Sequence, residues 1–191
     1  MLDLARFDEA LATLGEVLLE RGHRCELLVV GGGSLLLLGL IARPTADIDV
    51  IGAVTPTGYA KLDVLPVYLT EAAQEVAVAL GLGPAWLNVG PAGLVDFGLP
   101  PGLEDRVEVR TYGGLVLHLP GRLDLICFKL YAAADLGDGK HVQDLESLAP
   151  TVDELQWAAR WTRTHDPSPG FLPGLNRVLE RFGTEFHDAA S

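Results

Sequence analysis

Apolar residues recur with two different spacings along the chain, and the change of spacing separates helices from strands. From Leu2 to Arg21 they recur every three or four positions, which predicts an amphipathic helix that ends near Gly22. The next segment, "CELLVVGG", predicts a short buried strand leading into a turn. "ADIDVIG" predicts a second strand, with β-branched residues on one face and acidic residues on the other.

Between these two strands the stretch "LLLLGLIA" predicts a helix. Ser34 is the expected cap at its start, since a serine hydroxyl can accept a hydrogen bond from a backbone N–H of the first turn. The pair Arg43-Pro44 is the expected end, because proline disfavours helical backbone at the residue before it. Beyond a third predicted helix over 70–80, the glycine- and proline-rich segment 81–102 is predicted to be mostly loop.

The last part of the chain changes from strands to helices. "RVEVRTYGGLVLHL" alternates on both sides of two glycines and predicts a β-hairpin. Helices are predicted over 122–135 and 172–182, and Thr151 with Glu154 forms a capping box ahead of another. The predicted fold class is therefore α/β (α+β): a small mixed sheet with flanking helices over 1–150, and a helical C-terminal extension over 151–191 packed on it.

Composition narrows the possible partners and location. The 191 residues carry a net charge of −12 with no Lys/Arg-rich block, so extended nucleic-acid binding is not expected. Two isolated cysteines in apolar surroundings are typical of core positions in a reducing compartment. The longest apolar run, 27–42, is broken by four glycines and Ser34 and is shorter than the roughly 20 residues of a membrane span. With no secretory signal at the start, a cytoplasmic location without membrane attachment is expected.

The candidate chemistry lies at the end of the first predicted strand and in the second. Asp47 and Asp49 are separated only by Ile48, so both carboxylates project from the same face of a strand. Two like charges this close repel each other unless a cation lies between them, and a divalent metal is the usual cation for an all-oxygen site. The glycine turn that precedes the pair, Gly31-Gly32-Gly33-Ser34, could bring phosphate oxygens to backbone N–H groups.

Two other interpretations of this segment are open. In the simplest one, the glycines form a packed turn and the aspartates are a solvated strand end. In the other, the turn binds a dinucleotide, but the fingerprint needs a third small residue at the position that Leu36 occupies. A single ribose-binding acid would also leave the second aspartate unexplained.

"GGGS" at 31–34 followed by "DIDV" at 47–50 resembles the signature of the DNA polymerase β-like nucleotidyltransferase superfamily. The wider arrangement is similar to small bacterial nucleotidyltransferases related to AbiEii-type toxins and to uncharacterised relatives of them. "LPGRLDLICFKLYAAADLGDGKHVQDLESL" resembles their helical region. The resemblance covers residues 25–150.

The resemblance implies an activity and a set of site residues. Asp47 and Asp49 would bind Mg²⁺, with a two-metal site possible, and an NMP group would move from an NTP to an acceptor hydroxyl with release of pyrophosphate. The acceptor is not identified, and an antitoxin is a possible partner. The implied nucleotide-binding residues are Gly32, Gly33, Ser34, Arg43, Lys129, Lys140 and Asp144.

The superfamily commonly uses a third carboxylate, and Glu108 is the candidate because it lies opposite Val107 and Val109 in a predicted strand. The alternative is an exposed strand residue paired with an arginine, and Asp96 and Asp105 are fallbacks. Without a third acid, the chain would be a catalytically degenerate nucleotide- or protein-binding module.

The basic residues also have plainer interpretations. Lys129 is interpreted as a surface lysine in preference to a phosphate ligand. Lys140 and Asp144 can be an i, i+4 helix pair, and Arg43 can contact a phosphate or neutralise Asp47.

Overall fold

The computed structural model describes residues 3–137 and 139–187, which divide into two compact units between Gly121 and Arg122. The first unit contains a mixed sheet with helices, and the second is helical. The predicted α/β class is confirmed. The predicted boundary at residue 150 stays a prediction, and Leu2, where the first helix was expected to begin, lies outside the described residues.

The first unit has three α-helices and six strands among its described residues. The helices are α1 (Leu4–Glu20), α2 (Gly31–Leu37) and α3 (Val67–Leu80). The strands are β1 (Cys25–Val30), β2 (Ile48–Thr55), β3 (Gly58–Lys61), β4 (Leu87–Asn88), β5 (Glu108–Tyr112) and β6 (Leu115–Leu119). Their order is β3-β2-β1-β6-β5, with β4 paired to the start of β2.

The two central strands are those that the sequence predicted around the glycine turn. β1 pairs antiparallel with β2 and parallel with β6, so it lies in the middle of the sheet. Four of its residues in a row, 27–30, are buried, which explains why these four positions are all apolar instead of alternating. The hairpin of β5 and β6 around Gly113 and Gly114 is confirmed.

The helix between β1 and β2 differs from its prediction at both ends. It begins at Gly31, so Ser34 is its fourth residue and not its cap. It ends at Leu37, well before Pro44, because Gly39 adopts a left-handed backbone with φ +70°. The N–H of Leu40 bonds to the carbonyl of Leu35 and that of Gly39 to Leu36, a Schellman motif that stops the helix.

The second unit contains α4 (Arg122–Leu136), α5 (Lys140–Leu148), α6 (Val152–His165) and α7 (Phe171–Glu180). The predicted capping box is confirmed: the Thr151 hydroxyl accepts from the Glu154 N–H, and the Glu154 carboxylate accepts from the Thr151 N–H. Trp161 is buried with its ring centroid 5.4 Å from that of Phe128. Aromatic packing of this kind contributes to the core of the unit.

None of the helices in the described part of the chain is long and apolar enough to cross a membrane.

Candidate active site

The two aspartates lie where β2 begins, beside the end of β1. Asp47 is the last residue before β2, and Asp49 is its second residue and pairs with Val30. The side chain of Ile48 between them is fully buried, whereas both aspartates are only half-buried. The alternation predicted from the sequence is thus confirmed: the apolar residue enters the core and the two acids keep access to solvent.

The glycine turn is explained by how closely it approaches this segment. A Cβ on Gly31 would lie 2.1 Å from Oδ2 of Asp49, and the residue has a φ of +78° that also favours glycine. A Cβ on Gly33 would lie 2.9 Å from the carbonyl oxygen of Asp47. No side chain fits at either position, so the backbone of the turn lies directly against both aspartates.

The middle glycine faces the residues just before the aspartates. A Cβ on Gly32 would lie 2.9 Å from the Thr45 hydroxyl oxygen and 3.4 Å from Nη2 of Arg43. Arg43 therefore lies at the glycine turn, and it is half-buried there. The turn, Arg43 and the two aspartates form one continuous feature of the first unit.

Ser34 lies one helical turn after Gly31 and is completely buried. Its hydroxyl has no hydrogen-bond partner among the residues that the structure describes. A buried hydroxyl left without a partner costs about 1–3 kcal/mol, so such a group normally has a structural or functional reason.

Asn88 contacts Asp49, one of the two aspartates, and the sequence analysis missed it. β4 pairs in parallel with the start of β2 and sets Asn88 directly beside Asp49. The Asn88 amide Nδ2 donates to Oδ1 of Asp49 at 3.2 Å. A two-residue strand inside a glycine- and proline-rich segment gives no periodic signal; the only hint was the short apolar group "AWLNV" around the asparagine.

Glu108 was expected to face the two aspartates, and the sheet does not bring it there. β5 lies three strand positions from β2, a lateral separation of roughly 14 Å at about 4.8 Å per strand. The strand pairings, followed from Asp49 across β1 and β6, show that Val109 on β5 lies on the same face of the sheet as Asp49. Its neighbour Glu108 therefore points to the opposite face. Its carboxylate instead accepts a 2.8 Å hydrogen bond from Nε of Arg110, the alternative considered from the sequence.

The fallback acids do not complete a cluster. Asp96 forms an ion pair with Lys61 at 2.9 Å. Asp105 lies in a short 3₁₀ turn, Leu103–Arg106, and is exposed. Within residues 3–137 and 139–187, no group of three or more His, Cys, Asp or Glu side chains is placed to hold a metal ion. The acidic residues of the candidate site, among the described residues, are therefore Asp47 and Asp49.

In the second unit, Lys129 and Asp144 form a buried ion pair. The ammonium Nζ lies 2.7 Å from Asp144 Oδ2, and the two side chains are only 5% and 1% exposed. The interpretation of Lys129 as a surface lysine is therefore wrong. Lys129 lies within a run of buried residues, because α4 is buried from Asp124 to Leu130 without interruption.

Lys140 and Asp144, predicted as possible helix partners, occupy different environments. Lys140 is the first residue of α5 and is exposed, whereas Asp144 lies on the buried side of that helix. Asp144 thus pairs with a lysine of another helix, α4. Whether Lys129, Lys140 and Asp144 contact a nucleotide stays a prediction.

A glycine turn packed against two aspartates on a mixed sheet agrees with the nucleotidyltransferase class inferred from the sequence. The chain belongs to the family described as "Nucleotidyltransferase of unknown function (DUF6036)", whose model matches residues 4–157. This range includes the glycine turn, both aspartates, Asn88 and the Lys129–Asp144 pair. No curated protein and no solved structure gives a significant match to the chain.

Proposed function

We propose that this nucleotidyltransferase moves an NMP group from an NTP to an acceptor hydroxyl, with Asp47 and Asp49 holding Mg²⁺. The observation that carries the proposal is the direct contact between the glycine turn and the aspartates. The backbone of Gly31 lies so close to Asp49 that a Cβ added there would be 2.1 Å from Asp49 Oδ2. A phosphate chain that lies along the turn would be within reach of both carboxylates.

The donor set fits a hard divalent cation. Carboxylate oxygens are the ligands that Mg²⁺ prefers, and Asp47 and Asp49, which flank the buried Ile48 and are both half-buried, are proposed to supply them. When bound, the cation would neutralise the phosphate oxygens and favour departure of pyrophosphate. The chain itself would contribute orientation: the rigid start of β2 fixes the carboxylates, and the glycine turn and Arg43 provide N–H donors for the phosphates.

The buried Ser34 hydroxyl supports a phosphate at this turn. It is an unused donor one helical turn from Gly31, and a phosphate oxygen is a strong acceptor for such a group. Gly32 and Gly33 are proposed to hold the triphosphate with it through their backbone.

We further propose membership of the DNA polymerase β-like superfamily with an AbiEii-type relationship. The support is the order of elements: a strand, the glycine turn and helix, and an antiparallel neighbouring strand with Asp47 just before it and Asp49 as its second residue. A toxin–antitoxin role, with an antitoxin as partner, stays a prediction from that resemblance.

The test is calorimetric titration with ATP, GTP, CTP and UTP in turn, with and without Mg²⁺. Asp47→Asn and Asp49→Asn keep the side-chain shape and remove the charge, and Asp96→Asn makes the same change at the aspartate that pairs with Lys61. We expect Mg²⁺-dependent binding by the wild type and by Asp96→Asn, and a loss of at least tenfold in either site variant. If wild type binds no NTP under any condition, the proposed function is wrong.

A second candidate, a nucleotide-binding module with little turnover, is favoured by one observation. The strand that neighbours Asp49 carries an amide, Asn88, and the expected third acid, Glu108, lies on the opposite face of the sheet. Transfer of the label from α-labelled NTP to RNA ends, small alcohols or proteins, measured together with pyrophosphate release, separates the two. Binding without release favours the module, and release that Asp49→Asn abolishes favours the enzyme.

A further inference from the structure

We propose that Asn88 is a positioning residue of this site: its neutral amide holds one oxygen of Asp49 and turns the other toward the glycine turn. It also keeps the number of carboxylates at two, so that the site suits a single divalent cation. The nature of the ligand rests on the proposed function, but the role of the amide is argued from the contacts of Asn88 alone.

The pairing of the strands places Asn88 in contact with Asp49. In the parallel pairing of β4 with β2, Leu87 lies beside Ile48 and Asn88 beside Asp49. Paired residues of neighbouring strands point to the same face, and their backbones are about 4.8 Å apart. Backbone hydrogen bonding thus places Asn88 beside the carboxylate, and its position does not depend on the conformation of a loop.

The orientation of the amide follows from its second partner. Oδ1 of Asn88 accepts a hydrogen bond from the Gly90 N–H at 2.8 Å, so Nδ2 is the end that faces Asp49. Nδ2 also lies 3.4 Å from the carbonyl oxygen of Ile48.

The strand that carries Asn88 is firmly anchored. Trp86 is 1% exposed, and its indole N–H donates to the carbonyl oxygen of Ala73 on α3 at 2.9 Å. The N–H of Ile48 donates to the Trp86 carbonyl at 2.6 Å, and Leu87 is buried. Because Trp86 and Leu87 are anchored in this way, the Asn88 amide is held against Asp49.

These contacts give the two oxygens of Asp49 different surroundings. Oδ1 accepts from Asn88, and Oδ2 faces the backbone of Gly31. A carboxylate at position 88 would instead bring a third negative charge next to Oδ1. A cation would then be needed between the two acids, since like charges at hydrogen-bond distance repel strongly.

The chain offers a matched control, because its only other asparagine is Asn176. Asn176 lies on α7 in the second unit, where its amide exchanges two hydrogen bonds with the backbone of Phe186. Asn176→Asp therefore makes the same chemical change at an asparagine that also bonds to neighbouring groups but is not part of the candidate site.

The test is Mn²⁺ binding at pH 7, measured from the electron paramagnetic resonance signal of the free ion. We expect Asn88→Asp to bind Mn²⁺ at least tenfold more tightly than wild type, because affinity for hard cations rises with the number of charged ligands. We expect Asn88→Ala to bind it roughly twofold to tenfold more weakly, the effect of one lost hydrogen bond. Asn176→Asp should bind it like wild type.

The aspartate variant tests whether position 88 lies within reach of the cation, and the alanine variant tests the hydrogen bond to Asp49. The proposal is overturned if Asn88→Asp binds Mn²⁺ no more tightly than Asn176→Asp, or if Asn88→Ala binds it like wild type. If Asn88→Asp is unfolded without metal, the Mn²⁺ concentration that restores its circular dichroism gives the affinity, and no restoration overturns the proposal.

NTP titration of the same proteins separates the two proposals. Mn²⁺ binding that follows the expected order, without NTP binding by wild type, supports the role of Asn88 and contradicts the proposed function. NTP binding by wild type, with Mn²⁺ affinities that do not change at position 88, contradicts the role of Asn88 and leaves the proposed function standing.

Discussion

Two aspartates of this chain, Asp49 and Asp144, are held in opposite ways. Asp144 is almost completely buried, and its carboxylate lies 2.7 Å from the ammonium of Lys129. Asp49 is half-buried, contacts a neutral amide and lies against a glycine backbone. Both residues were candidate site residues from the sequence, where nothing distinguished a buried acid from an accessible one.

The difference separates a charge that stabilises the fold from one that is suited to a ligand. Removing Asp144 would leave the Lys129 ammonium buried without its carboxylate, which is costly. Removing the charge of Asp49 takes away a group that still reaches solvent, so the fold should survive and ligand binding should not. The predictions below test this contrast, beginning with the largest effect.

Asp144→Ala should lower the free energy of unfolding of the second unit by about 3–5 kcal/mol, because it breaks a buried ion pair from one side. Asp49→Ala should change stability by about 1 kcal/mol or less. Urea unfolding followed by tryptophan fluorescence measures both, since the first unit contains Trp86 and the second Trp157 and Trp161.

The combined variant Lys129→Met/Asp144→Leu serves as the control. It replaces both charges by apolar groups and should recover most of the lost stability. Equal, small effects of Asp144→Ala and Asp49→Ala would contradict the distinction between the two aspartates.

Gly31→Ala should destabilise the first unit by about 2–5 kcal/mol. The new methyl group meets Asp49 Oδ2 at 2.1 Å, and overpacking of about 1–3 kcal/mol adds to left-handed backbone strain of about 1–2 kcal/mol. Gly39→Ala is the matched control, because its φ of +70° is similar and nothing lies within 4 Å of its Cβ position. Thermal unfolding of the two variants should differ by the overpacking contribution. Equal losses would show that the close approach to Asp49 has no energetic consequence.

Glu154→Gln should make the second unit less sensitive to acid. Burial alone would raise the pKa of the Glu154 carboxyl, but hydrogen bonds from Arg122 and from the Thr151 backbone outweigh burial and lower that pKa below its ordinary value of 4.5. The resulting stabilisation is present above pH 4.5 and is lost as the pH falls through the lowered pKa.

Thermal midpoints between pH 2 and pH 7, taken in steps, measure this effect. Asp153→Asn alters a neighbouring acid in the first turn of the same helix and is the control. The assignment to Glu154 would be refuted by a wild type and a Glu154→Gln variant whose midpoints fall in parallel as the solution is acidified.

Glu108→Gln should have the smallest effect. The residue lies on an edge strand, paired with Arg110 and turned away from the face of Asp49. We expect stability to change by less than about 0.5–1 kcal/mol and Mg²⁺-dependent NTP binding to stay within twofold of wild type. A loss of binding as large as that of Asp49→Asn would mean that Glu108 reaches the site. The acids of β5 and β2 would then not differ in their contribution to binding.

The sequence by itself determined the features whose signals are local. The hairpin at Gly113 and Gly114, the capping box of Thr151 and Glu154, and the alternation of Ile48 between two accessible aspartates all depend on neighbours within a few residues. Local spacing and turn chemistry are sufficient for such features, because the interacting groups are fixed by the helix or strand itself. The resemblance to nucleotidyltransferases also rested on one short stretch, and the family match confirms that class.

Only the tertiary structure decided which distant residues meet. Asn88 reaches Asp49 through a two-residue strand, Glu108 is separated from it by the strand order, and Lys129 finds Asp144 on another helix. Each outcome depends on strand order, register or helix packing, and these are set by contacts between segments far apart in the chain. A single sequence encodes such contacts only through the packing of the whole core, so no local pattern could reveal them.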